Sequence, residues 1–400
     1  MNERELRDAL RRALPDDDGG ARERSWRVVR AAYADVEPRP RRRRWAALLV
    51  ALALAPVAAG AAAAASAPQS DVGRWVRGVL GVGERDARAV LGHVPGGGRL
   101  LVEAGGDAWV VSRDGAKRRL GAYAGTSWSP RGLFVVGWRG RELTALDPGG
   151  HVRWSLPAPA RVSAARWAPV DGFRVAYLAG TRLRIVNGNG SGDRPFAAAR
   201  FGVAPEWRPD ATHALAYADR RGRVNLVAVD SGRRLWRSAP LAQPTALAWS
   251  SDGERLLVVT RRRLVLLGAG GRRLASRAIA PGVAVTGAQW RPRGTQIAIV
   301  RHDDASRRSE LVLAESDRGL EQHVVFGGPG RFGAPSWSPG ATRVLVPWLD
   351  ADQWLFLRPG FRHLTAFANI AKQFAPGAGP GSGTATFPRS VQWCCATAVP

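Results

Sequence analysis

Apolar and polar residues alternate in short runs from about residue 85 onward, and the runs recur as similar units. In each unit a tryptophan ends one strand, and Ser/Arg-Pro followed by Asp or Gly forms a tight turn. Alternating apolar residues then predict a second strand, as at Leu133 and Val135 or at Ala176 and Leu178. A third strand follows, for example over Arg182–Val186, before a Gly-rich turn. The pattern indicates an all-β repeat protein.

The tryptophans set the length of the repeat. They lie at Trp128, Trp167, Trp207, Trp249, Trp290 and Trp337, separated by 39, 40, 42, 41 and 47 residues. A period near 40 residues that carries several short strands is typical of β-propeller blades. A large flat indole at one position of every blade can fill the wedge between adjacent sheets, so we expect these side chains to be structural.

The number of blades follows from the two ends of the repeat region. A degenerate unit begins at His93, which stands where the other units have tryptophan, and it brings the count to seven. The sequence SVQWCC, from Ser390, matches only the first strand of a unit. A propeller closes without an unpaired strand edge when one of its blades combines strands from the two ends of the chain. We therefore predict a seven-bladed β-propeller over residues 85–400, with Trp393 completing the first blade. Six or eight blades are the alternatives.

The W-S-P-x-G-like units over residues 93–357 resemble the repeat of TolB-like propellers, which are related in shape to WD-repeat propellers. The resemblance implies an extracytoplasmic binding domain and names no ligand. Two stretches, ALDPGGHVRW from Ala145 and AVDSGRRLW from Ala228, also look like the A-x-D-x-x-G-x-x-x-W signature of quinoprotein-type propellers. The second stretch is one residue short and only two copies occur, so a quinone is not implied and we predict no cofactor.

An uncharged stretch precedes the repeats, from Trp45 to Gln69. A helix needs about 20 mostly apolar residues to cross a bilayer, and the basic run Arg41–Arg44 should stay on the cytoplasmic side. We predict a transmembrane helix over residues 45–65, a juxtamembrane helix or linker over 66–84, and a propeller outside the cytoplasm. Two alternatives stay open: a signal peptide cleaved near Ala67, which would release a secreted domain, and a buried core helix.

Residues 1–44 carry two patterns of helical spacing. The second places Trp26, Val29, Tyr33 and Val36 on one face of a helix. Such a stripe is costly to leave in water, so it is a candidate docking face for a cytoplasmic protein, the alternative being a passive tail. Helices inside, one span and a domain outside resemble membrane-bound anti-sigma factors in layout, although their zinc motif is absent.

Composition adds a strong positive charge. The chain has 59 basic and 33 acidic residues, a formal net charge of +26, and only two lysines, so the charge is mostly arginine. Such a surface attracts polyanions such as acidic lipids, anionic wall polymers or nucleic acid. Scattered solvated arginine is the alternative, because no long basic block occurs outside Arg39–Arg44. The only cysteines, Cys394 and Cys395, are adjacent, which excludes a disulfide framework; they can bridge each other only through a strained peptide, so we expect two free or loosely oxidised thiols.

Motifs that carry chemistry are scarce. The sequence contains no nucleophile elbow, P-loop, H-E-x-x-H or EF-hand loop. Six histidines are spread over different repeats and are expected to be packed or solvent-facing. The acidic pairs Asp303–Asp304 and Asp350 with Asp352 are expected in loops, where a glycosidase-like pair is a minor alternative.

These patterns favour a non-enzymatic, membrane-anchored propeller that binds a protein, peptide or cell-envelope ligand through its loops. Neither a metal nor a cofactor is predicted, and nucleic acid is disfavoured because the ring is expected outside the membrane. One alternative is a transmembrane regulator whose N-terminal helices bind a cytoplasmic partner while the propeller senses a signal. The other is a hydrolase or lyase that uses the central channel.

Overall fold

A computed structural model describes residues 90–169, 173–210, 212–360, 364–375 and 386–395. The predicted N-terminal helices, including the stripe from Trp26 to Val36, lie outside these residues. So do the predicted span at 45–65 and the predicted juxtamembrane helix. Within the described ranges, no helix is both long and apolar enough to cross a membrane.

The described residues form seven four-stranded antiparallel sheets, or blades, whose strands are numbered in chain order. Blade 1 contains β28 (Ser390–Cys394), β1 (Arg99–Ala104), β2 (Asp107–Val111) and β3 (Lys117–Ala122). Blade 2 contains β4 (Gly125–Trp128), β5 (Val135–Arg139), β6 (Glu142–Leu146) and β7 (Val152–Pro157). Blade 3 contains β8 (Val162–Trp167), β9 (Arg174–Ala179), β10 (Arg182–Asn187) and β11 (Arg194–Ala198).

The next four blades repeat the same order. Blade 4 contains β12 (Glu206–Trp207), β13 (Ala214–Ala218), β14 (Val224–Ala228) and β15 (Arg234–Arg237). Blade 5 contains β16 (Pro244–Trp249), β17 (Arg255–Thr260), β18 (Arg263–Gly268) and β19 (Arg273–Ala278). Blade 6 contains β20 (Val283–Trp290), β21 (Gln296–Asp303), β22 (Arg308–Glu315) and β23 (Glu321–Pro329). Blade 7 contains β24 (Ser336–Trp337), β25 (Val344–Trp348), β26 (Gln353–Leu357) and β27 (Leu364–Phe367). A 3₁₀ turn spans Ser316–Arg318, and one helical turn, α1, spans Ile370–Gln373.

The blades close into a ring. The first strand of each blade contacts the first strands of both neighbouring blades, in the circular order β28, β4, β8, β12, β16, β20, β24 and back to β28. Strand β28, from the C-terminal end, pairs with β1 and places Trp393 opposite Leu100. The all-β, seven-bladed propeller is confirmed, and the alternatives of six and eight blades are wrong. His93 does not take the place of a tryptophan, because Trp393 occupies that position in blade 1.

The core is divided among the junctions between blades. Seven clusters of buried apolar side chains occur in the described chain, and each lies between two adjacent blades. The repeat tryptophans and Trp393 all belong to these clusters, with at most 9% of their surface exposed. Three of their indole N–H groups cross to the preceding blade and donate to a carbonyl: Trp207 to Arg166 (3.0 Å), Trp290 to Ala248 (2.9 Å) and Trp337 to Gln289 (3.2 Å).

A second type of tryptophan contact joins the rims of neighbouring blades. Trp154 donates to the carbonyl of Gly188 and Trp236 to that of Ala269, both at 2.7 Å, and each acceptor lies in a turn of the following blade. Gly190 lies beneath Trp154 with φ of 86°, and a Cβ there would come within 2.8 Å of the ring. The two stretches that look like the quinoprotein signature therefore supply docking contacts between blades.

The sequence pattern missed the fourth strand of each blade. Five of the seven outer strands, all except β23 and β27, carry Lys or Arg where an apolar alternation would be expected, as in RLWR over β15 and RLASRA over β19. They are edge strands, and charged side chains protect such edges from pairing with other chains. Leu133 was also assigned wrongly: it lies in the turn before β5 and is 56% exposed, because the second strand begins only at Val135.

The cysteine expectation is wrong as well. Cys394 and Cys395 form a disulfide. The chain turns at Cys395, whose φ is 45°, and both sulfurs face Gly132 of the next blade. This turn follows β28, so the bridge lies at the end of the closing strand.

Candidate binding surfaces

The antiparallel strands give the ring two faces. The turns between the first and second strands, and between the third and fourth, lie at one face, which we call the tryptophan face because the repeat tryptophans end the first strands there. The turns between the second and third strands, and the connections from blade to blade, lie at the opposite face. Loops on rigid blades are the usual place for binding residues.

Exposed apolar residues cluster on the tryptophan face of blades 2 and 3. Leu133 is 56% exposed, Phe134 37% and Phe173 50%. The ring of Phe134 stacks on Trp167 of the next blade, with ring centres 6.2 Å apart and planes 24° from parallel. Trp167 pairs with Val175 of β9, two residues after Phe173, so Phe134 and Phe173 flank the same strand end; we call Leu133, Phe134 and Phe173 the apolar patch.

Arginines fix the turns of this face. Three of them lie over a tryptophan of the following blade: Arg99 over Trp128 at 5.1 Å, Arg208 over Trp249 at 5.8 Å and Arg291 over Trp337 at 5.3 Å. Each also donates to a carbonyl in the turn of that blade, at Gly132 (2.6 Å), Gly253 (2.8 Å) and Ala341 (3.1 Å). A guanidinium over an indole gains cation–π attraction in addition to these hydrogen bonds. The turns are therefore tied to one another.

A cavity of about 480 Å³ lies between the turns of blades 6 and 7. Arg291 donates to Gln296 at 2.8 Å, and Gln296 donates to Glu315 at 2.7 Å. Pro339 and its neighbours form the opposite wall. The chain of hydrogen bonds holds the polar wall of this cavity in place.

An acid–base pair lies on the inner strands. Glu206 of β12 is 3.7 Å from Arg166 of β8, and both residues immediately precede a repeat tryptophan. Although 31% of the Glu206 side chain is reached by water, the surrounding protein desolvates its carboxylate. Burial raises the pKa of Glu206 to about 7, and the charge of Arg166 opposes that rise. A carboxyl group that titrates near neutrality is a candidate functional group.

We predict that Glu206→Gln stabilises the propeller at high pH and not at low pH. The folded-state pKa lies above the ordinary value of 4.5, so the favourable protonated state is fully available below about 4.5 and is lost as the pH rises through 7. The variant should be more stable than the parent by about 1–3 kcal/mol at pH 8. Chemical denaturation at pH 4.5 and pH 8 measures this, and an equal difference at both pH values would contradict it.

The residues considered for chemistry are held in local contacts. His151 lies 3.0 Å from Asp147 and His213 lies 2.7 Å from Asp230. Asp303 accepts from Ser306 within its own turn, and these turn hydrogen bonds lower the pKa of its carboxyl. In the described part of the chain, no three His, Cys, Asp or Glu residues gather in a way that could hold a metal ion.

The second acidic pair is also used locally. Asp350 accepts the backbone N–H of Arg331 at 2.9 Å, and Asp352 accepts that of Ala371 at 2.7 Å. The carboxylates of Asp303, Asp350 and Asp352 thus serve as acceptors for nearby turns, and that of Asp304 lies 3.7 Å from His302. Sequence reasoning missed the apolar patch, because Leu133 and Phe134 look like the start of a strand.

Comparison with known proteins supports the fold. No protein-family model matches the chain, and no curated protein matches it. Among solved structures, the chain is similar to hydrazine synthase of Kuenenia stuttgartiensis (TM-score 0.51, 13% identity, 58% of this chain and 75% of that chain). It is also similar to the β-propeller domain of Cps50 (Swd1) from Myceliophteria thermophila, with a TM-score of 0.50 and 14% identity; the match covers 62% of this chain and 86% of that chain. A third similar structure is the WD40 domain of coronin from Toxoplasma gondii, with a TM-score of 0.50 and 14% identity; the match covers 61% of this chain and 70% of that chain.

At these identities the likeness shows the fold alone. The described residues form a seven-bladed propeller with the fold of these WD40 structures.

Proposed function

We propose that the protein is a membrane-anchored, extracytoplasmic propeller that binds a protein or peptide through its tryptophan face and catalyses no reaction. The uncharged stretch from Trp45 and the arginines before it support the anchor and its orientation. The resemblance of the repeats to those of TolB-like propellers supports a location outside the cytoplasm. The N-terminal stripe with Trp26 and Tyr33 remains a proposed second docking face, on the cytoplasmic side.

The apolar patch is the observation that carries this proposal. Apolar side chains in contact with water at adjacent turns mark interaction sites when they lie together. The turns are held by inter-blade contacts such as Phe134 on Trp167, so little side-chain freedom is lost on binding. A partner that inserts one or two apolar side chains between Leu133 and Phe173 fits this surface.

The test uses a photo-crosslinking amino acid at Arg131, which is exposed in the same turn as Leu133. In cells that make the full chain, we expect one discrete protein adduct. Leu133→Ser with Phe173→Ser should reduce that adduct roughly tenfold, because each truncation removes about 1 kcal/mol or more of apolar contact.

The matched control is Leu274→Ser with Val324→Ser, which removes apolar residues of similar exposure, 41% and 50%, from the outer strands. It should leave the adduct unchanged. Protease added to intact cells should remove the adduct. An adduct equally strong in both double variants contradicts binding at the patch, and one that survives the protease contradicts the extracytoplasmic location.

A further inference from the structure

Charge is distributed unequally between the two faces of blades 2–5. At the opposite face, the connections of these blades lie entirely within the described residues; they contain several arginines and one acidic residue, Asp219, and Glu142 is exposed beside Arg141 at the start of β6. At the tryptophan face of the same blades, carboxylates outnumber arginines in the described turns, for example Asp147, Asp193 and Asp230. The positive charge that looks scattered along the sequence is therefore concentrated on one face.

Six exposed arginines make up this concentration, and we call them the arginine arc: Arg141, Arg161, Arg220, Arg221, Arg261 and Arg262. Within the described chain, no ion pair joins any of them to a carboxylate. The nearby Asp219 is used by its own turn, where it accepts the backbone N–H groups of Arg221 at 2.9 Å and Arg223 at 3.0 Å.

The chemistry of the arc fits phosphate. A guanidinium presents a planar fork of donors that matches phosphate oxygens, and it stays charged at any physiological pH. The six groups have no ion-pair partner in the described chain, so binding of a polyanion supplies their counter-charge and releases solution counter-ions. Phe201, 58% exposed, lies on the same face between blades 3 and 4, where it can pack on an apolar part of a ligand.

The shape of the arc distinguishes a chain-like ligand from a flat one. The same face of blades 6 and 7 carries Asp304, Asp350 and Asp352 beside the exposed Arg307 and Arg331, so its carboxylates offset its arginines and a flat anionic membrane laid on the ring would gain little there. A flexible linear polyanion can follow blades 2–5 and avoid blades 6 and 7. Like charges brought together across an interface cost binding energy, which favours the linear ligand.

We propose that the arginine arc binds a flexible, linear phosphodiester polymer of the polyol-phosphate type. This site is independent of the proposed protein-binding function, because it lies on the opposite face of the ring. Its residues come from connections spread over four blades, so it exists only in the folded propeller.

The test measures binding of a fluorescent poly(glycerol phosphate) chain to the full-length protein in a non-ionic detergent. The arc variant replaces Arg220, Arg221, Arg261 and Arg262 with Gln. The matched control replaces Arg131, Arg233, Arg272 and Arg293, all exposed on the tryptophan face, so that both variants lose the same charge.

We expect the arc variant to bind at least tenfold more weakly than the parent at about 0.15 M salt, and the control less than twofold more weakly. The slope of log affinity against log salt should become shallower by roughly 3 in the arc variant, since each phosphate contact on a single chain contributes about 0.7. Equal losses in the two variants would mean that only net charge matters, and would overturn the proposal.

Two further probes separate the sources of phosphate. An oligothymidylate of equal charge that binds more than tenfold tighter than the glycerol polymer would assign the arc to nucleic acid and overturn the polyol-phosphate assignment. Vesicles with 30 mol% anionic lipid that bind more strongly to the parent than to the arc variant, with no polymer binding, would assign it to a membrane.

Because the apolar patch variant keeps the arc intact, it should bind the polymer as the parent does, whatever its crosslinking result.

Discussion

Trp393→Ala is expected to cost about 3–5 kcal/mol of folding free energy and to loosen blade 1 from blade 7. The indole is 7% exposed, and its ring meets Phe356 of blade 7 edge-on at 5.4 Å. Its N–H donates to the carbonyl of Gly97 at 2.7 Å, and its backbone N–H donates to the Ser336 hydroxyl at 2.9 Å. The substitution therefore removes the ring's packing against blade 7 and the indole hydrogen bond to Gly97, which ties the two chain ends together in blade 1, while the backbone hydrogen bond to Ser336 stays.

Denaturant unfolding measures the loss, and limited proteolysis locates it. Cleavage should appear first in residues 90–104 and after residue 386, on either side of the loosened junction. Trp236→Ala is the control, because that indole lies in the outer strand β15 and is only half-buried; it should cost less and leave the chain ends protected. If the two variants lost the same stability and were cut at the same places, Trp393 would have no special part in closing the ring.

Gly125→Ala should destabilise the propeller by about 3 kcal/mol or more. Gly125 and Trp138 are paired across β4 and β5, and a Cβ on Gly125 would lie 2.1 Å from the Trp138 ring. The Trp138 side chain is 8% exposed and belongs to the core between blades 2 and 3, so its indole has little room to move. The backbone of Gly125 is not in the left-handed region, so its conformation does not require glycine. Glycine is needed there because a larger residue would collide with the indole.

A double variant tests that reason directly. Trp138→Leu removes the atoms that a Cβ at position 125 would meet, so Gly125→Ala should cost much less in that background than in the parent. Gly270→Ala is the control, because nothing lies within 4 Å of a Cβ there, and it should change stability by no more than about 0.5 kcal/mol. Additive effects of Gly125→Ala and Trp138→Leu, measured by denaturant unfolding, would rule out the steric explanation.

The propeller and its closure could be predicted because the same tryptophan-containing sequence unit recurs along the chain. Six tryptophans recur at five intervals of 39–47 residues, and the seventh, Trp393, stands out as a lone first strand far from its partners. The fourth strands could not be seen in the same way. In β19, for example, Arg273 and Arg277 flank the apolar positions, since an outer edge needs little apolar surface and gains from charge.

The candidate surfaces depend on which connections share a face, and the sequence does not show that. Arg141 and Arg262 are 121 positions apart, so no window of sequence contains the arginine arc. The raised pKa of Glu206 likewise comes from its surroundings in the ring. The disulfide was missed because adjacent cysteines can bridge only where the backbone turns sharply, as it does at Cys395.

Closure by β28 also has a consequence for synthesis. The Trp393 indole and its acceptor at Gly97 are 296 residues apart, so blade 1 stays incomplete until nearly the whole chain has been made. At about 5–20 residues per second, the open edge of β1 waits roughly 15–60 seconds for its partner. During that interval the nascent chain offers an unpaired strand to any neighbour, and a ribosome that stalls before codon 390 would leave a product with six finished blades and one open edge.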